Sequence, residues 1–438
     1  MKIILIDTNL YLDDPTVIYK LANAENKILI PLMVLKELDK HKFNRDLSYS
    51  ARCAIRSISE FMETNPDRLI FDNNVYRGEP DERILISAKT HNATVATKDI
   101  SMSIQAKAQN IDVLLYGGMI NNIFDPYINL HMNDFNRVVV EKPFDYGAEY
   151  NGDDYDETLN LFSKVSGHTL DRDYWWFVII DINTTNKVIY ANHPLENKII
   201  RIDNRPKYRK LTLDKNYETK ALDDYQVCAI YAMIEAPNTI ICGSYGSGKS
   251  LLSTAYSLAY NDNKKTFISR PNLTVDHRFA LGFLPGSLEE KLAPWMAGVI
   301  SSLYNIYSNT KGQVSDKMNS DSNYDYVKEY LFKKHFEMIS LETIQGISFM
   351  KDDLVLLDEA QLCSIAILST ILSRFGKGSK LIITGDLKQT YDVIKPSENG
   401  LLKLLRLLPN KYMAYVTLKN HYRSELIELA TALQDKSF

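Results

Sequence analysis

Short apolar runs alternate with amphipathic stretches over residues 1–125. The apolar runs fall at residues 3–6, 27–35, 68–72, 93–99 and 111–116. Residues 81–92 and 100–110 show a different pattern, in which apolar positions recur three and four residues apart and acidic or hydroxyl side chains stand at the start. The first pattern predicts buried strands and the second predicts helices, so this part of the chain is predicted to have an α/β fold.

The pattern changes near residue 126 and again near residue 221. Residues 149–160 are polar and acidic, which predicts a loop, whereas residues 174–203 alternate apolar runs with Asn and Pro turns, which predicts strands. We therefore predict a linker and a small β-rich module over residues 126–220. The α/β pattern returns over residues 221–438. A stretch rich in Ser, Asn and Asp at 307–326 predicts a mobile loop or insertion there.

The composition is that of an ordinary globular protein and excludes few classes of function. The 438 residues carry a net charge of −4, so any contact with nucleic acid must come from a local patch. The four cysteines lack the spacing of a zinc site, which favours free thiols in a reducing compartment. No apolar run approaches the ~18 residues of a membrane span. No secretory signal pattern is present, so we expect a cytoplasmic protein without a membrane partner.

A phosphate-binding motif stands near the start of the third segment. The motif G-x-x-x-x-G-K-S follows the apolar stretch 238–242 and precedes a helical pattern, as a phosphate cradle requires. Backbone N–H groups would hold the phosphates of ATP, Lys249 would reach the β and γ oxygens, and Ser250 would bind Mg²⁺. The predicted nucleotide-binding residues of the loop are Gly243, Ser244, Tyr245, Gly246, Ser247, Gly248, Lys249, Ser250 and Leu251.

Polar residues elsewhere in this segment suit ATP hydrolysis. An apolar strand ends at Asp358, which would hold Mg²⁺ through water, and Glu359, which would orient or deprotonate the attacking water. A third strand ends shortly before Gln389, which could sense the γ-phosphate. Gln226 is placed like the glutamine that bonds adenine in helicases, or it is an ordinary surface residue. Arg423 is a candidate arginine finger, or a solvated charge at a helix start.

Residues 221–435 resemble the PhoH family of ATPases. The most specific part of the resemblance is the run GFLPG-x-x-x-EK followed by Pro-Trp, within residues 282–295. The resemblance implies a P-loop, RecA-like ATPase domain that pulls or unwinds RNA, and a homo-oligomer that forms a ring, expected to be a hexamer. One departure is IQGIS, with Gln345 and Ile347, where the family commonly has the arginine-rich IRGR. Any role of those arginines in binding nucleic acid or nucleotide would be weakened here.

Four acidic residues stand at predicted strand ends or helix starts within residues 1–125. Asp7 follows the first strand, Glu37 lies at the start of a helix after the second, Asp81 begins a helix and Asp99 follows another strand. Each alone suits a turn or a helix cap. The carboxyl ends of parallel strands meet at one edge of a sheet, however, and four converging carboxylates are costly unless a metal neutralises them. We therefore predict a Mg²⁺ or Mn²⁺ site.

This N-terminal segment resembles the PIN nuclease domain, which is fused to a PhoH ATPase in one branch of that family. The resemblance implies that the four acids are catalytic and that the domain cleaves RNA, with the ATPase feeding it single strands. The expected fold class is α/β: a PIN-like α/β/α domain, a small β-rich middle module and a P-loop RecA-like domain. Two alternatives stay open: a toxin-like ribonuclease whose ATPase is a regulatory switch, and an RNA-binding helicase whose PIN domain is inactive.

Overall fold

The computed structural model describes residues 2–22, 26–43, 47–115, 123–135, 144–183, 186–213, 217–260, 266–271, 296–308, 332–341, 343–389, 394 and 398–422. The chain divides into two compact units, Met1–Asn122 and Ile123–Phe438, and each is described by itself. None of the helices in the described ranges combines the length and the apolar character that crossing a membrane demands.

The first unit is built on a five-stranded parallel sheet in the order β3-β2-β1-β4-β5. Its strands are β1 (Lys2–Ile6), β2 (Asn26–Pro31), β3 (Leu69–Asp72), β4 (Thr94–Thr97) and β5 (Val113–Leu115). Its helices are α1 (Thr8–Asp13), α2 (Val17–Leu21), α3 (Leu32–His41), α4 (Ser48–Thr64), α5 (Pro80–Thr90) and α6 (Ile100–Ala108). The chain adds strands first on one side of β1 and then on the other. Ligands of open parallel sheets bind at the carboxyl ends of the strands beside such a reversal.

The core of the first unit follows from the apolar pattern. β1 lies between two other strands, so its apolar run is nearly continuous and three of its five residues are buried. On α4, Ala51, Ala54, Ile58 and Phe61 are buried at helical spacing and form one apolar face. The predicted α/β fold is confirmed. The run 27–35 is divided, because β2 ends at Pro31 and α3 begins at the next residue, so Glu37 lies in the second turn of α3 rather than at its start.

The second unit begins with a mixed five-stranded sheet in the order β6-β8-β9-β10-β7. Its strands are β6 (Tyr127–His131), β7 (Glu149–Asn151), β8 (Phe177–Asp181), β9 (Lys187–His193) and β10 (Lys198–Arg201). Only the β6–β8 pair is parallel. The helices α7 (Met132–Phe135), α8 (Gly152–Ser166) and α9 (Pro206–Arg209) accompany it, and β11 (Lys210–Thr212) pairs with β12 (Glu218–Lys220).

The prediction of a loop over residues 149–160 is wrong. These residues form β7 and most of the first three turns of α8. Asp153 and Asp154 lie in the first turn of α8, where carboxylates interact favourably with the positive end of the helix dipole. Tyr155, Thr158 and Phe162 are buried on one face of the helix. The acidic residues that suggested a loop are thus the start of an amphipathic helix.

A six-stranded parallel sheet forms the rest of the second unit, in the order β15-β14-β16-β17-β13-β18. Its strands are β13 (Thr239–Gly243), β14 (Thr266–Ser269), β15 (Phe336–Met338), β16 (Leu354–Leu357), β17 (Lys380–Gly385) and β18 (Ala414–Leu418). The helices are α10 (Asp224–Glu235), α11 (Lys249–Tyr260), α12 (Ala297–Ser308), α13 (Lys333–His335), α14 (Ile365–Leu372) and α15 (Gly400–Arg406).

One hydrophobic core joins the mixed sheet to the parallel sheet. Trp175, just before β8, and Phe177 on β8 pack edge-on against Tyr231 of α10, with ring centroids 6.3 and 6.0 Å away. The β-rich residues that the sequence suggested as a module therefore share their core with the helices of the parallel sheet. The predicted insertion at 307–326 lies outside the described residues from residue 309 onward.

Candidate functional site

Asp7 stands directly after β1 and is almost completely buried, with 1% of its surface exposed. It caps α1 by accepting the N–H of Asn9 at Oδ1 (3.4 Å), and its Oδ2 accepts the hydroxyl of Thr97 (2.9 Å). Thr97 ends β4, the strand next to β1, and its hydroxyl oxygen also accepts the N–H of Asp99 (3.0 Å). One threonine therefore positions two of the four predicted acids at neighbouring strand ends.

Asp99, Glu37 and Asp81 each lie on a helix or at its start. Asp99 caps α6 and accepts a backbone N–H of its first turn at 2.7 Å. The Thr8 hydroxyl donates to Oε2 of Glu37 (2.5 Å), and Asp81 lies in the first turn of α5. The charges of Asp81 and Glu37 act on Asp7, and the charge of Asp99 acts on Asp81. The structure thus brings all four predicted acids into one electrostatic cluster.

Burial raises the pKa of Asp7 to about 6, and the charges of Asp81 and Glu37 add to the rise. The hydrogen bonds from Thr97 and Asn9 oppose it. Burial and a neighbouring carboxylate likewise raise the pKa of Asp81. A divalent cation would offset this repulsion, and an all-oxygen donor set suits Mg²⁺ or Mn²⁺, so the residues fit such an ion. It is the chemistry of these donors that fits, since no group of three His, Cys, Asp or Glu side chains in the described ranges is already arranged around one ion.

Replacing Asp7 with Asn should stabilise the metal-free protein at neutral pH. The carboxyl has a pKa of about 6 in the folded chain against 3.8 for an unperturbed group, so the folded state holds its proton more tightly. The resulting penalty on folding is absent below pH ~4, grows as the pH rises toward 6 and is fully present above that value. Its size is roughly 3 kcal/mol at about 1.4 kcal/mol per pKa unit.

Hydrogen exchange of the β1 amides in EDTA measures this effect, because it reports the free energy of opening of the first unit. Asp7→Asn should slow exchange at pH 7.5, and the gain should vanish when stability is compared at pH 4. Added Mg²⁺ should slow exchange in the wild-type protein more than in the variant. Equal exchange of the two proteins at pH 7.5 would show that Asp7 carries no such penalty.

The phosphate loop connects the end of β13 to the start of α11. Gly246 and Gly248 have φ angles of +71° and +96°, in the left-handed region that glycine adopts readily. The Lys249 ammonium donates to the carbonyl oxygens of Gly243 (2.7 Å) and Ser244 (3.0 Å). The lysine is therefore held against the loop, where the β and γ phosphates of a nucleotide would compete for it.

Ser250 of the phosphate loop contacts Asp358, the first of the two acidic residues that follow β16. The Ser250 hydroxyl donates to Oδ1 of Asp358 (3.4 Å), and the Thr384 hydroxyl on the adjacent strand β17 donates to the same oxygen. A hydroxyl and a carboxylate in this arrangement are the groups that hold Mg²⁺ beside the phosphates in P-loop proteins. The residues present thus fit a Mg²⁺–nucleotide complex.

Glu359 follows directly and adopts a φ of +55°, a strained conformation for a residue with a side chain. The Gln361 amide donates to its Oε2 (2.5 Å), and the Arg270 guanidinium lies 3.4 Å from its Oε1 and 3.8 Å from Oδ2 of Asp358. Burial and the charge of Asp358 raise the pKa of Glu359, and Arg270 opposes the rise. A raised pKa suits a group that takes a proton from water.

Comparisons with known families cover both units. The PIN domain model matches residues 4–116, and the PhoH-like protein model matches residues 219–433. The protein called Protein PhoH2 of Thermobispora bispora is 24% identical over 98% of this chain and 96% of its own. That of Bacillus subtilis is 25% identical over 99% of each. This chain is a PIN–PhoH fusion protein. The resemblance to both families is confirmed, and the fusion joins a nuclease-type domain to a P-loop ATPase-type domain.

Solved structures match the fusion protein only loosely. A domain of a functionally unknown protein from Methanocaldococcus jannaschii is 23% identical and covers 27% of this chain and 93% of its own, with a TM-score of 0.24. The Pif1 helicase from Candida albicans is 16% identical and covers 50% and 44%, with a TM-score of 0.27. The family assignment therefore rests on the sequence matches.

The remaining predicted site residues of the fusion protein lie in different surroundings, and some lie outside the described residues. Tyr245 lies within the loop motif, whereas Leu251 directly follows it and packs against the core of the unit. Gln389 is buried and donates to Oδ2 of Asp386 (2.5 Å), so contact with a γ-phosphate stays a prediction. Arg423 and the family-specific run 282–295 lie outside the described residues. Ile347 is partly buried and packs against the core beside β16.

Proposed function

We propose that this PIN–PhoH fusion is an ATP-dependent RNA-processing enzyme. In this proposal the PIN domain is a metal-dependent endoribonuclease, and ATP hydrolysis in the PhoH domain drives an RNA helicase or translocase. The observation that carries the proposal is the presence of two sets of converging groups in two compact units, one around Asp7 and one around the phosphate loop. RNA as the substrate comes from the family resemblance. The four cysteines are free thiols, which supports a cytoplasmic location.

In the PIN domain, the residues that would hold Mg²⁺ or Mn²⁺ are Asp7, Glu37, Asp81 and Asp99. A bound ion of this kind supplies an activated water and a stabilised leaving oxygen for phosphodiester cleavage. The protein's own contribution is to position the carboxylates. The Thr97 hydroxyl fixes Asp7 and the backbone N–H of Asp99, and the Thr8 hydroxyl fixes Glu37. Asp7 is buried, so its charge faces little competing solvent.

In the PhoH domain, Lys249 would leave the loop carbonyls for the β and γ phosphates, while Ser250 and Asp358 would hold the Mg²⁺ of the nucleotide. Glu359 would orient the attacking water and accept its proton. Gln361 donates to one oxygen of the Glu359 carboxylate and Arg270 to the other, which restrains the carboxylate before substrate arrives. Such preorganisation lowers the cost of reorganising the site during reaction.

Cleavage of blunt and single-strand-tailed RNA duplexes, with and without ATP, tests the proposal. A coupled enzyme should cleave the tailed duplex faster with ATP and should need the tail. If cleavage responds to ATP but ignores the tail, the ATPase is a regulatory switch on a ribonuclease. If RNA stimulates ATP hydrolysis and no cleavage occurs with Mg²⁺ or Mn²⁺, the PIN domain only binds RNA. The same assay with DNA duplexes determines whether the enzyme acts on RNA or on DNA.

Arg423 is proposed as an arginine finger within a hexameric ring. Tyr422, the residue before Arg423, contacts the phosphate loop, since its N–H donates to the carbonyl of Gly246 (3.0 Å). Loss of a group that stabilises only transition-state charge should lower turnover more than affinity. Arg423→Ala should therefore bind ATP normally and hydrolyse it at least about tenfold slower.

Subunit mixing determines whether Arg423 acts within its own subunit or on a neighbour. Mixed rings of Arg423→Ala and Lys249→Ala subunits should recover some activity if the arginine acts in trans, since some interfaces pair an intact lysine with an intact arginine. Sedimentation of the wild type measures the ring size. A wild-type turnover rate for Arg423→Ala would remove the residue from the mechanism. Absence of recovery despite proven subunit exchange would assign it to its own subunit.

A further inference from the structure

Hydrogen bonds connect four residues from two distant parts of the chain to one another and to the phosphate loop. We call Asp223, Gln226, Asn420 and Tyr422 the loop brace. Asp223 caps α10 by accepting the N–H of Gln226 at Oδ1 (2.7 Å). Its Oδ2 accepts the hydroxyl of Tyr422 (2.5 Å) and the amide of Asn420 (2.8 Å). One carboxylate therefore joins the start of α10 to the segment that follows β18.

Two residues of the loop brace donate hydrogen bonds to consecutive carbonyl groups of the phosphate loop. The N–H of Tyr422 donates to the carbonyl of Gly246 (3.0 Å), and Nε2 of Gln226 donates to the carbonyl of Ser247 (3.0 Å). The other end of the Gln226 carboxamide accepts the N–H of Leu222 (2.9 Å), and the residue is 3% exposed. Both ends of this carboxamide are thus used to hold backbone, which differs from the predicted contact with adenine.

Peptide geometry connects these bonds to phosphate binding. In a planar trans peptide the C=O and the following N–H point in opposite directions. Holding the carbonyls of Gly246 and Ser247 outward turns the N–H groups of Ser247 and Gly248 the other way. The N–H of Ser247 makes a long bond of 3.4 Å to the carbonyl of Ser244. Backbone N–H groups oriented in this way form the anion cradle of a phosphate loop.

The loop brace also fits closely against the loop. A Cβ added at Gly248 would lie 3.0 Å from Nε2 of Gln226, so the amide occupies the space that a side chain would need. Gln226 therefore contacts the loop on the side where a side chain at position 248 would lie.

We propose that Asp223 is a positioning residue of the ATPase, which acts through Gln226 and Tyr422 to hold the phosphate loop in the form that binds nucleotide. This inference rests on the proposed ATPase function. Gln226 then acts on the loop and does not read the base. The loop N–H groups contact phosphate in the ground state and in the transition state alike. Loss of the loop brace should therefore raise KM while leaving kcat nearly unchanged.

Steady-state hydrolysis by the full-length protein tests the role of Asp223. Asp223→Ala should raise KM for ATP roughly tenfold and change kcat less than about threefold, as loss of uniform binding predicts. Tyr422→Phe removes a single hydroxyl and should raise KM by a smaller factor. Asp224→Ala is the matched control for charge, because Asp224 begins the same helix but lies 3.8 Å from Lys187. Tyr412→Phe, at an exposed tyrosine, is the control for the second variant.

A base comparison separates bracing from base recognition. Gln226→Met should lower the affinities for ATP and GTP by the same factor, because the phosphates are common to both. A loss confined to ATP would overturn the role given to Gln226, and unchanged KM in Asp223→Ala and Tyr422→Phe would overturn the role given to Asp223. If Asp223→Ala fails to fold, Tyr422→Phe carries the test, since that side chain is partly exposed. Failure of the ATPase assignment itself would appear separately, as a wild type that hydrolyses no nucleotide.

Discussion

Asp7→Asn is expected to abolish RNA cleavage while ATP hydrolysis continues at close to the wild-type rate. Asn preserves the size of the side chain and can accept the bond from Thr97 or Asn9, but it removes the charge that would attract a cation. Loss of one hydrogen bond that supports a metal ligand costs roughly 10–100-fold, so loss of a ligand's charge should cost more. The phosphate loop lies in a separate compact unit, so its chemistry should be spared.

Two comparisons make this experiment specific. Asp39→Asn removes an exposed carboxylate of α3 that pairs with Lys42, and it should cleave RNA normally. Asp7→Asn should also be more stable than the wild type without metal, so unfolding would not explain its loss of cleavage. Thr97→Val should keep part of the activity, because the acids remain while one positioning hydroxyl is lost. Undiminished cleavage by purified Asp7→Asn would contradict the nuclease assignment.

Two substitutions in the PhoH domain should separate nucleotide binding from hydrolysis. Lys249→Ala should remove ATP turnover, because the β and γ phosphates lose their lysine partner. Glu359→Gln should retain bound ATP and hydrolyse it at least about a hundredfold slower, since the binding contacts remain while proton transfer from water is lost. Rapid filtration with labelled ATP measures binding, and phosphate release measures turnover.

Lys403→Ala provides the control for Lys249→Ala. Lys403 is exposed on α15, and its removal should leave both binding and turnover unchanged. If Glu359→Gln hydrolysed ATP at the normal rate, another group would have to activate water, and Arg270 and Gln361 would be holding a carboxylate with no catalytic role. If Lys249→Ala hydrolysed ATP normally, the phosphate loop would not be the site of the reaction.

The sequence indicates those parts of the fold that depend on local patterns. Apolar runs locate the strands of both parallel sheets, because strands buried on two faces read as continuous apolar stretches. Carboxyl ends of parallel strands share an edge, so the positions of Asp7 and Asp99 along the chain already suggest that they meet. Residues 149–160 show the limit of this reasoning. Their charges suggested a loop, whereas the buried face of α8 depends on partners distant in sequence.

The groups that support the candidate sites could not be predicted in the same way. Thr97, Arg270 and Gln361 acquire their roles through contacts made only in the folded chain. Arg270 directly follows β14, and Asp358 and Glu359 directly follow the neighbouring strand β16. The position of Arg270 at a strand end is therefore a hint that the sequence offers. The spacing of Gln226 from the loop predicts a place near the nucleotide, but spacing does not show which partner its carboxamide contacts.

The most direct measurement of the central claim maps the products of an end-labelled RNA duplex with a single-stranded tail. If ATP hydrolysis moves RNA into the nuclease, the wild type with ATP should cut within the duplex region. Without ATP, and in Glu359→Gln with ATP, cuts should be confined to the tail. Identical product maps for the wild type with ATP, the wild type without ATP and Glu359→Gln would contradict coupling between the two sites.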